Sequence, residues 1–217
     1  MLQQGEPIST RVVIADEQPL MLEGLAQVLR AFPTTAVNRC TSGGELFAAL
    51  LEGPDLVITD IRLGDRDGLS VLREVRQRGL QVPVILVTGP LRDTEVLEGM
   101  QLGIRGLVPK ESPLDAVQHC VRTVLEGGTC LDQTVVGRAM STTMAREAAR
   151  RELAEQLTGR EMEVMLAMVA GAKPREAAER LGISEGTLKV HLHHIYEKLQ
   201  LTNRDELIAY VKGKGLS

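Results

Sequence analysis

Tryptophan is absent from the chain, and only Phe32, Phe47, Tyr196 and Tyr210 supply aromatic surface. That scarcity excludes the stacking platforms with which proteins hold single-stranded nucleic acid. Cysteine is nearly as scarce. Cys40, Cys120 and Cys130 are odd in number, far apart and never in a C-x-x-C pair, so they fit neither a disulfide framework nor a zinc site and are expected as buried, reduced thiols. Long apolar runs are missing too: none approaches the roughly 20 residues of a membrane span, and Met1 to Thr10 lacks the apolar stretch of a secretory leader. These absences point to a cytoplasmic protein with no membrane contact.

What is present is ordinary for a globular protein. Apolar residues make up 43% and charged residues 25% of the 217, enough for two small domains with separate cores. The net charge of −4 is unevenly spread. Residues 1–130 hold 12 basic against 17 acidic side chains, whereas 156–217 hold 9 against 8. The mildly basic end permits a nucleic-acid partner without demanding one.

Residues 11–126 alternate short apolar runs with helical patterns, the mark of a parallel sheet flanked by helices. Five short strands are predicted, at Val12–Ala15, Thr35–Arg39, Leu56–Thr59, Val84–Val87 and Gly106–Val108, with the Val, Ile and Leu content of the set taken as the sign of strands buried on both faces. Pro19 opens the first helix, Ser42 with Glu45 the second, and Ser112-Pro113 with Asp115 the fifth. Gly127 to Gln156 is small, polar and charged, and is expected to be a stiff, helical linker. Residues 157–217 show helical patterns only. Thr158 and Glu161 form a T-x-x-E capping box, Pro174 opens a second helix ending at Gly182, Ser184 caps a third, and Asn203 with Glu206 caps a fourth.

"DLVITDIRLGDRDG", residues 55–68, holds four aspartates. In a doubly wound sheet ligands bind beyond the carboxyl ends of the strands, and those ends carry Asp16-Glu17, Asp60, Thr88 and Lys110. Asp55 precedes its strand as a turn residue, and Asp65 and Asp67 belong to the following loop. Clustered carboxylates repel unless a cation shares them, and an all-oxygen site suits Mg²⁺. An aspartate there can accept a phosphoryl group whose oxygens are neutralised by metal and lysine. On this reading an aspartate of the set is the nucleophile, Lys110 the fixed positive charge and Thr88 a hydroxyl donor to the new phosphoryl oxygens.

The constellation resembles the receiver domain of two-component response regulators, over residues 11–126 in order. The resemblance implies that Asp60 is the phosphoacceptor, phosphorylated by a sensor histidine kinase. It also implies that Asp16, Glu17, Asp60 and the backbone carbonyl of Arg62 bind Mg²⁺. The chain departs from the family at Glu17, usually aspartate; at Leu63-Gly64, usually Met-Pro; and at Gly89, usually alanine. The aromatic residue usual two or three positions before the lysine is replaced by Leu107 and Val108, so a threonine-to-aromatic switch cannot operate in its usual form.

In the tail, Ala178 permits close helix crossing, Gly182 takes a left-handed turn, and Ile183 with Leu188 fills the wedge between two helices. Leu188, Leu192, Ile195 and Leu199 form one buried stripe, leaving Lys189, Val190, His193 and Glu197 on other faces. A helix-turn-helix would place Thr187, Lys189, Val190 and His193 toward a DNA major groove; a helical interaction module would leave them as ordinary solvated surface. The i, i+2, i+3 spacing of His191, His193 and His194 does not put all three on one face for a metal. "LTGREMEV", "REAAERLGIS" and "TLKVH" resemble the LuxR-type domain of the NarL/FixJ subfamily. Pro174, Ala177 and His193 depart from it, where Asn, Ile and Lys are common. The resemblance implies duplex-DNA binding and homodimer pairing through the last helix, at Arg204, Leu207, Ile208 and Val211.

The expected architecture is therefore α/β: a doubly wound (βα)₅ flavodoxin-like receiver over 10–127, a linker over 128–155, and a four-helix, all-α helix-turn-helix domain over 156–217. The expected function is a non-enzymatic, DNA-binding transcriptional regulator controlled by phosphoryl transfer to Asp60. Two alternatives stay open at this point. One is a phosphate-independent DNA-binding regulator; the other is a small aspartyl-phosphate phosphatase, which would want a general acid two residues after the nucleophile, where this chain has Arg62.

Overall fold

A computed structural model describes residues 9–32 and 34–216. They form two compact units that divide between Met140 and Ser141. The first is a six-stranded sheet in the order β2-β1-β3-β4-β5-β6, with every pairing parallel. Its elements are β1 (Thr10–Ala15), α1 (Pro19–Leu29), β2 (Thr35–Cys40), α2 (Gly43–Leu51), β3 (Leu56–Thr59), α3 (Gly68–Gln77), β4 (Val84–Thr88), α4 (Asp93–Gln101), β5 (Gly106–Pro109), α5 (Leu114–Leu125) and β6 (Cys130–Leu131). The alternating burial of a two-residue period sends Val12, Ile14, Leu56, Ile58 and Ile85 to the face covered by α1 and α5. Val13, Val57, Val84 and Leu86 go to the face covered by α2, α3 and α4.

Two strands differ from expectation. β2 is an edge strand with β1 as its one sheet neighbour, so its middle is exposed and only Cys40 is buried, not both faces. β6 lies inside the expected linker. Cys130 donates its N–H to Arg105 at 2.8 Å and Asp132 to Leu107 at 3.0 Å, a two-residue strand too short to leave a periodic pattern.

The start signals hold in altered detail. Ser42 accepts from the Glu45 N–H, but the Glu45 carboxylate turns to the Thr41 N–H at 2.6 Å rather than closing the box. α5 begins after Pro113, with no side-chain cap from Ser112. Cys40, Cys120 and Cys130 are free thiols, the last only half-buried, and burial pushes the Cys40 thiol up to about 11.

α6 (Gln133–Gln156) occupies most of the segment marked as a linker. In the first unit Val136 and Ala139, from its start, pack into the core beside α4 and β5. In the second unit its Leu153 enters the core formed with α7 (Gly159–Val169), α8 (Pro174–Leu181), α9 (Glu185–Leu199) and α10 (Arg204–Gly213). The capping box at α7 is complete: Glu161 donates its N–H to Thr158 Oγ, and its carboxylate accepts the Thr158 N–H at 2.8 Å. Gly182 takes φ +64°, the left-handed turn that ends α8 and redirects the chain into α9. No helix among the described residues is long and apolar enough to cross a membrane.

Candidate functional site

The register of the sheet builds the acidic site. Ala15 pairs with Thr59, and the ladder continues one residue further, Asp60 donating its N–H to the Ala15 carbonyl at 2.9 Å. On the other side Thr88 pairs with Pro109, and Lys110 donates its N–H to the Thr88 carbonyl at 2.9 Å. Residues dispersed over 95 positions of sequence thus end at one sheet edge because each terminates a parallel strand.

Asp16, Asp60 and Thr88 are buried there, at 1%, 4% and 3% exposure. Lys110 Nζ lies 2.6 Å from Asp16 Oδ2 and 2.7 Å from Asp60 Oδ2. Burial by itself would lower the lysine pKa, but hydrogen bonds to the two aspartates and their charges outweigh it and raise it. Two carboxylates against one ammonium leave the site with a net negative charge. The second oxygens are fixed as well, Asp16 Oδ1 accepting from Gln18 N–H at 2.9 Å and Asp60 Oδ1 from Ile61 N–H at 2.6 Å. Asp60 faces an open cavity of about 290 Å³, shared with Glu17, Arg62, Thr88 and Lys110.

The remaining aspartates of the 55–68 stretch have structural work. Asp55 accepts the Arg11 N–H at 2.7 Å, and Asp67 caps α3 through the Leu69 N–H at 2.8 Å. Asp65 caps α2 from 22 residues away, accepting from Gly43 and Gly44, which holds its carboxyl below the usual range. That long-range cap had no local signal.

The donor set at the strand ends is all oxygen, with an uncompensated negative charge, which fits a hard divalent cation. Asp16 and Asp60 are preset, whereas Glu17 lies on the exposed rim, its Oε2 beside Gly64. Among the described residues no three acidic, His or Cys side chains already converge as a metal cluster. The sequence also gave no sign of the Arg62 contacts. Its guanidinium bonds Glu95 at 2.7 Å, 33 residues away.

In the helical unit, Leu188, Leu192, Ile195 and Leu199 are buried in the core. Thr187, Lys189, Val190 and His193 are all exposed on α9, Val190 at 53% although apolar. Ser184 caps this helix at the Thr187 N–H, 3.0 Å away. Of the residues expected to pair, Leu207 and Val211 are fully buried in the domain's own core. Arg204 is tied to the Met168 and Ala172 carbonyls at 3.1 and 3.0 Å. Ile208 alone of the four keeps both a partly open side chain and no assigned bond among the described contacts.

The comparisons with known proteins follow the same division. Residues 12–122 match the response regulator receiver domain, a little over half of the chain. Residues 155–211 match the luxR family of bacterial regulatory proteins. The chain belongs to the NarL/FixJ subfamily of response regulators. Its two matched domains make it a response regulator that joins a receiver to a LuxR-type DNA-binding, transcription-regulating domain. It is 26% identical to the response regulator VraR of Staphylococcus aureus over 94% of this chain and 96% of that one. It is 24% identical to the nitrate/nitrite response regulator NarL of Escherichia coli, over 92% and 94%. Among solved structures it shares the fold of the Salmonella typhimurium RcsB response regulator, with TM-score 0.63, 21% identity, and coverage of 94% and 99%.

Proposed function

We propose that Asp60 accepts a phosphoryl group from the phosphohistidine of a sensor kinase, and that the modified chain binds duplex DNA as a homodimer. A carboxylate oxygen of Asp60 attacks phosphorus, the P–N bond to the kinase imidazole breaks, and an acyl phosphate forms. The single observation that carries this reading is the Lys110 ammonium bridging two buried aspartates at the strand ends. A buried charge triad is a poor stabiliser, and its placement beside an open cavity suits chemistry better than packing. Lys110 neutralises the phosphoryl oxygens and Thr88, at the same cavity, donates its hydroxyl to them. Mg²⁺, held by Asp16, Glu17, Asp60 and the Arg62 carbonyl, would add the charge neutralisation that one lysine leaves incomplete.

For DNA, the exposed start of α9 sets Thr187 and Lys189 toward phosphates and base edges and Val190 toward a thymine methyl, with His193 one turn further on. A solved neighbour of the same fold is an RcsB–DNA complex, which supports DNA as the partner of this unit. Dimer pairing through α10 uses its Ile208 face.

The test follows intact mass with Mg²⁺ and a small phosphoryl donor, for the native chain and Asp60→Asn, with duplex binding measured on the same samples. The expected result is one phosphoryl mass gained by the native chain alone, with tighter DNA binding. No gain with unchanged DNA binding favours a phosphate-independent regulator, and rapid ester turnover favours a phosphatase. Lys189→Ala should weaken duplex binding and reduce the salt slope by about 1.

A further inference from the structure

The first turn of α4 carries two acids that face different neighbours. Glu95, 4% exposed, is gripped by Arg92 through Nε at 3.1 Å, Nη2 at 2.7 Å and the backbone N–H at 2.9 Å, and again by Arg62 Nη2 at 2.7 Å. Burial would raise its pKa, but these bonds outweigh it and hold the carboxyl at about 2. Asp93, two residues earlier, lies 3.4 Å from Nε of Arg138 on α6. Arg138 also donates to the Leu91 carbonyl at 3.5 Å. Consecutive ion pairs therefore run from the rim of the Asp60 cavity, through α4, to the start of α6.

Arg62 is the member of this series open to the Asp60 cavity, and its Nη1 also lies 3.8 Å from Asp67 Oδ2. Its side chain is half-exposed and lines the Asp60 cavity. Glu95 is redundantly paired, so withdrawing Arg62 leaves the buried carboxylate with two Arg92 side-chain donors on Oε1 and the Arg92 backbone N–H on Oε2. A phosphoryl group on Asp60 offers Arg62 nearly two negative charges and three acceptor oxygens, a stronger partner than a carboxylate already neutralised by another arginine. Leu107 and Val108 on β5 bring no polar atom that could carry the signal from Thr88 instead.

We propose that the first turn of α4 is an electrostatic relay in which Arg62 exchanges Glu95 for the phosphoryl oxygens on Asp60, loosening the Arg138–Asp93 clamp on the start of α6. The relay rests on Asp60 being the phosphoacceptor. It makes Arg62 a positioning residue that acts through α4, and it makes the released element the helix that leaves the receiver.

The test uses the full chain with Mg²⁺ and beryllofluoride, a phosphoryl mimic. Fluorine NMR reports its uptake and backbone hydrogen exchange reports residues 133–140. In the native chain, loading should speed exchange there about two- to fivefold, the range expected on losing one partly exposed ion pair. Glu95→Gln, which keeps the cap on Arg92 but gives Arg62 no charge to abandon, should take up the probe with no change in exchange. Arg138→Gln should show the raised exchange before loading and no further rise after it. A rise in Glu95→Gln equal to that of the native chain overturns the relay, as does a loaded native chain with unchanged exchange. Should Glu95→Gln not fold, Arg138→Gln decides: a further rise on loading equal to the native one overturns the proposal. Absence of a bound fluorine signal in the native chain overturns the phosphoacceptor reading, and the relay with it.

Discussion

Lys110 Nζ stands 2.7 Å from Asp60 Oδ2 and at the same time bridges to Asp16, so removing the lysine does two separable things. The two buried carboxylates lose the cation between them and are left facing one another unscreened. The phosphoryl oxygens lose a fixed positive charge. Lys110→Met, similar in length and apolar, should slow phosphoryl gain by about 10²-fold, the usual loss when one preorganised charge is removed. Timed intact-mass measurements check this. A rate within a factor of about two of the native chain would remove Lys110 from the chemistry.

Gly68 tests how tightly the loop after Asp60 is built. A Cβ at this position would meet the Asp60 carbonyl oxygen at 2.6 Å and the Ile61 Cα at 3.2 Å, both backbone atoms that cannot rotate away. The Gly68 N–H also donates to the Ile61 carbonyl at 2.8 Å. Gly68→Ala should therefore cost about 1–3 kcal/mol by overpacking and displace Asp60. Urea unfolding would show a lower midpoint, and phosphoryl uptake would fall in the fraction that remains folded.

Much of this site is legible in the sequence because its parts are local. Each acid, hydroxyl or lysine follows a short apolar run, and a parallel sheet then gathers strand ends without further information. What escaped is non-local or ambiguous in period. The Asp65 cap on α2 and the Arg62–Glu95 pair span 22 and 33 residues, and no spacing rule links their partners. β6 is two residues long. On α10 a helical apolar period reports that a face is covered but not by what. Leu207 and Val211 are covered by their own domain.

Acid should loosen the helical unit through Glu161. This carboxyl is buried, and although burial would raise its pKa, the Lys198 ammonium at 2.6 Å and the Thr158 cap hold it at about 2, from an ordinary 4.5. A depressed folded-state value means the stabilisation is present above about pH 4.5 and is lost as pH falls toward 2. With Lys198 partly exposed, the contribution is on the order of 2–3 kcal/mol. Glu161→Gln should be less stable at neutral pH and show a flatter stability profile from pH 4.5 to 2. Urea midpoints of the full chain at a series of pH values give the comparison, and parallel profiles for the two proteins would refute the assignment.

Leu207 and Ile208 are adjacent on α10 but answer different questions. Leu207 is fully buried among Val164, Ile195 and Val211 of its own unit, so Leu207→Ala leaves a cavity and should cost about 2–5 kcal/mol whether or not DNA is present. Ile208 is only half-buried, and Ile208→Lys should change stability by less than about 1 kcal/mol. If α10 is the pairing helix, that charge faces its own copy across a symmetric contact, where like charges repel and apolar area is lost. Ile208→Lys should then fold normally, bind a single half-site as the native chain does, and lose the added affinity for a two-half-site duplex. Retained affinity for the paired site would move the dimer contact off this face of α10, whereas a loss shared equally by Leu207→Ala and Ile208→Lys would mean that the helix fold, not pairing, was being measured.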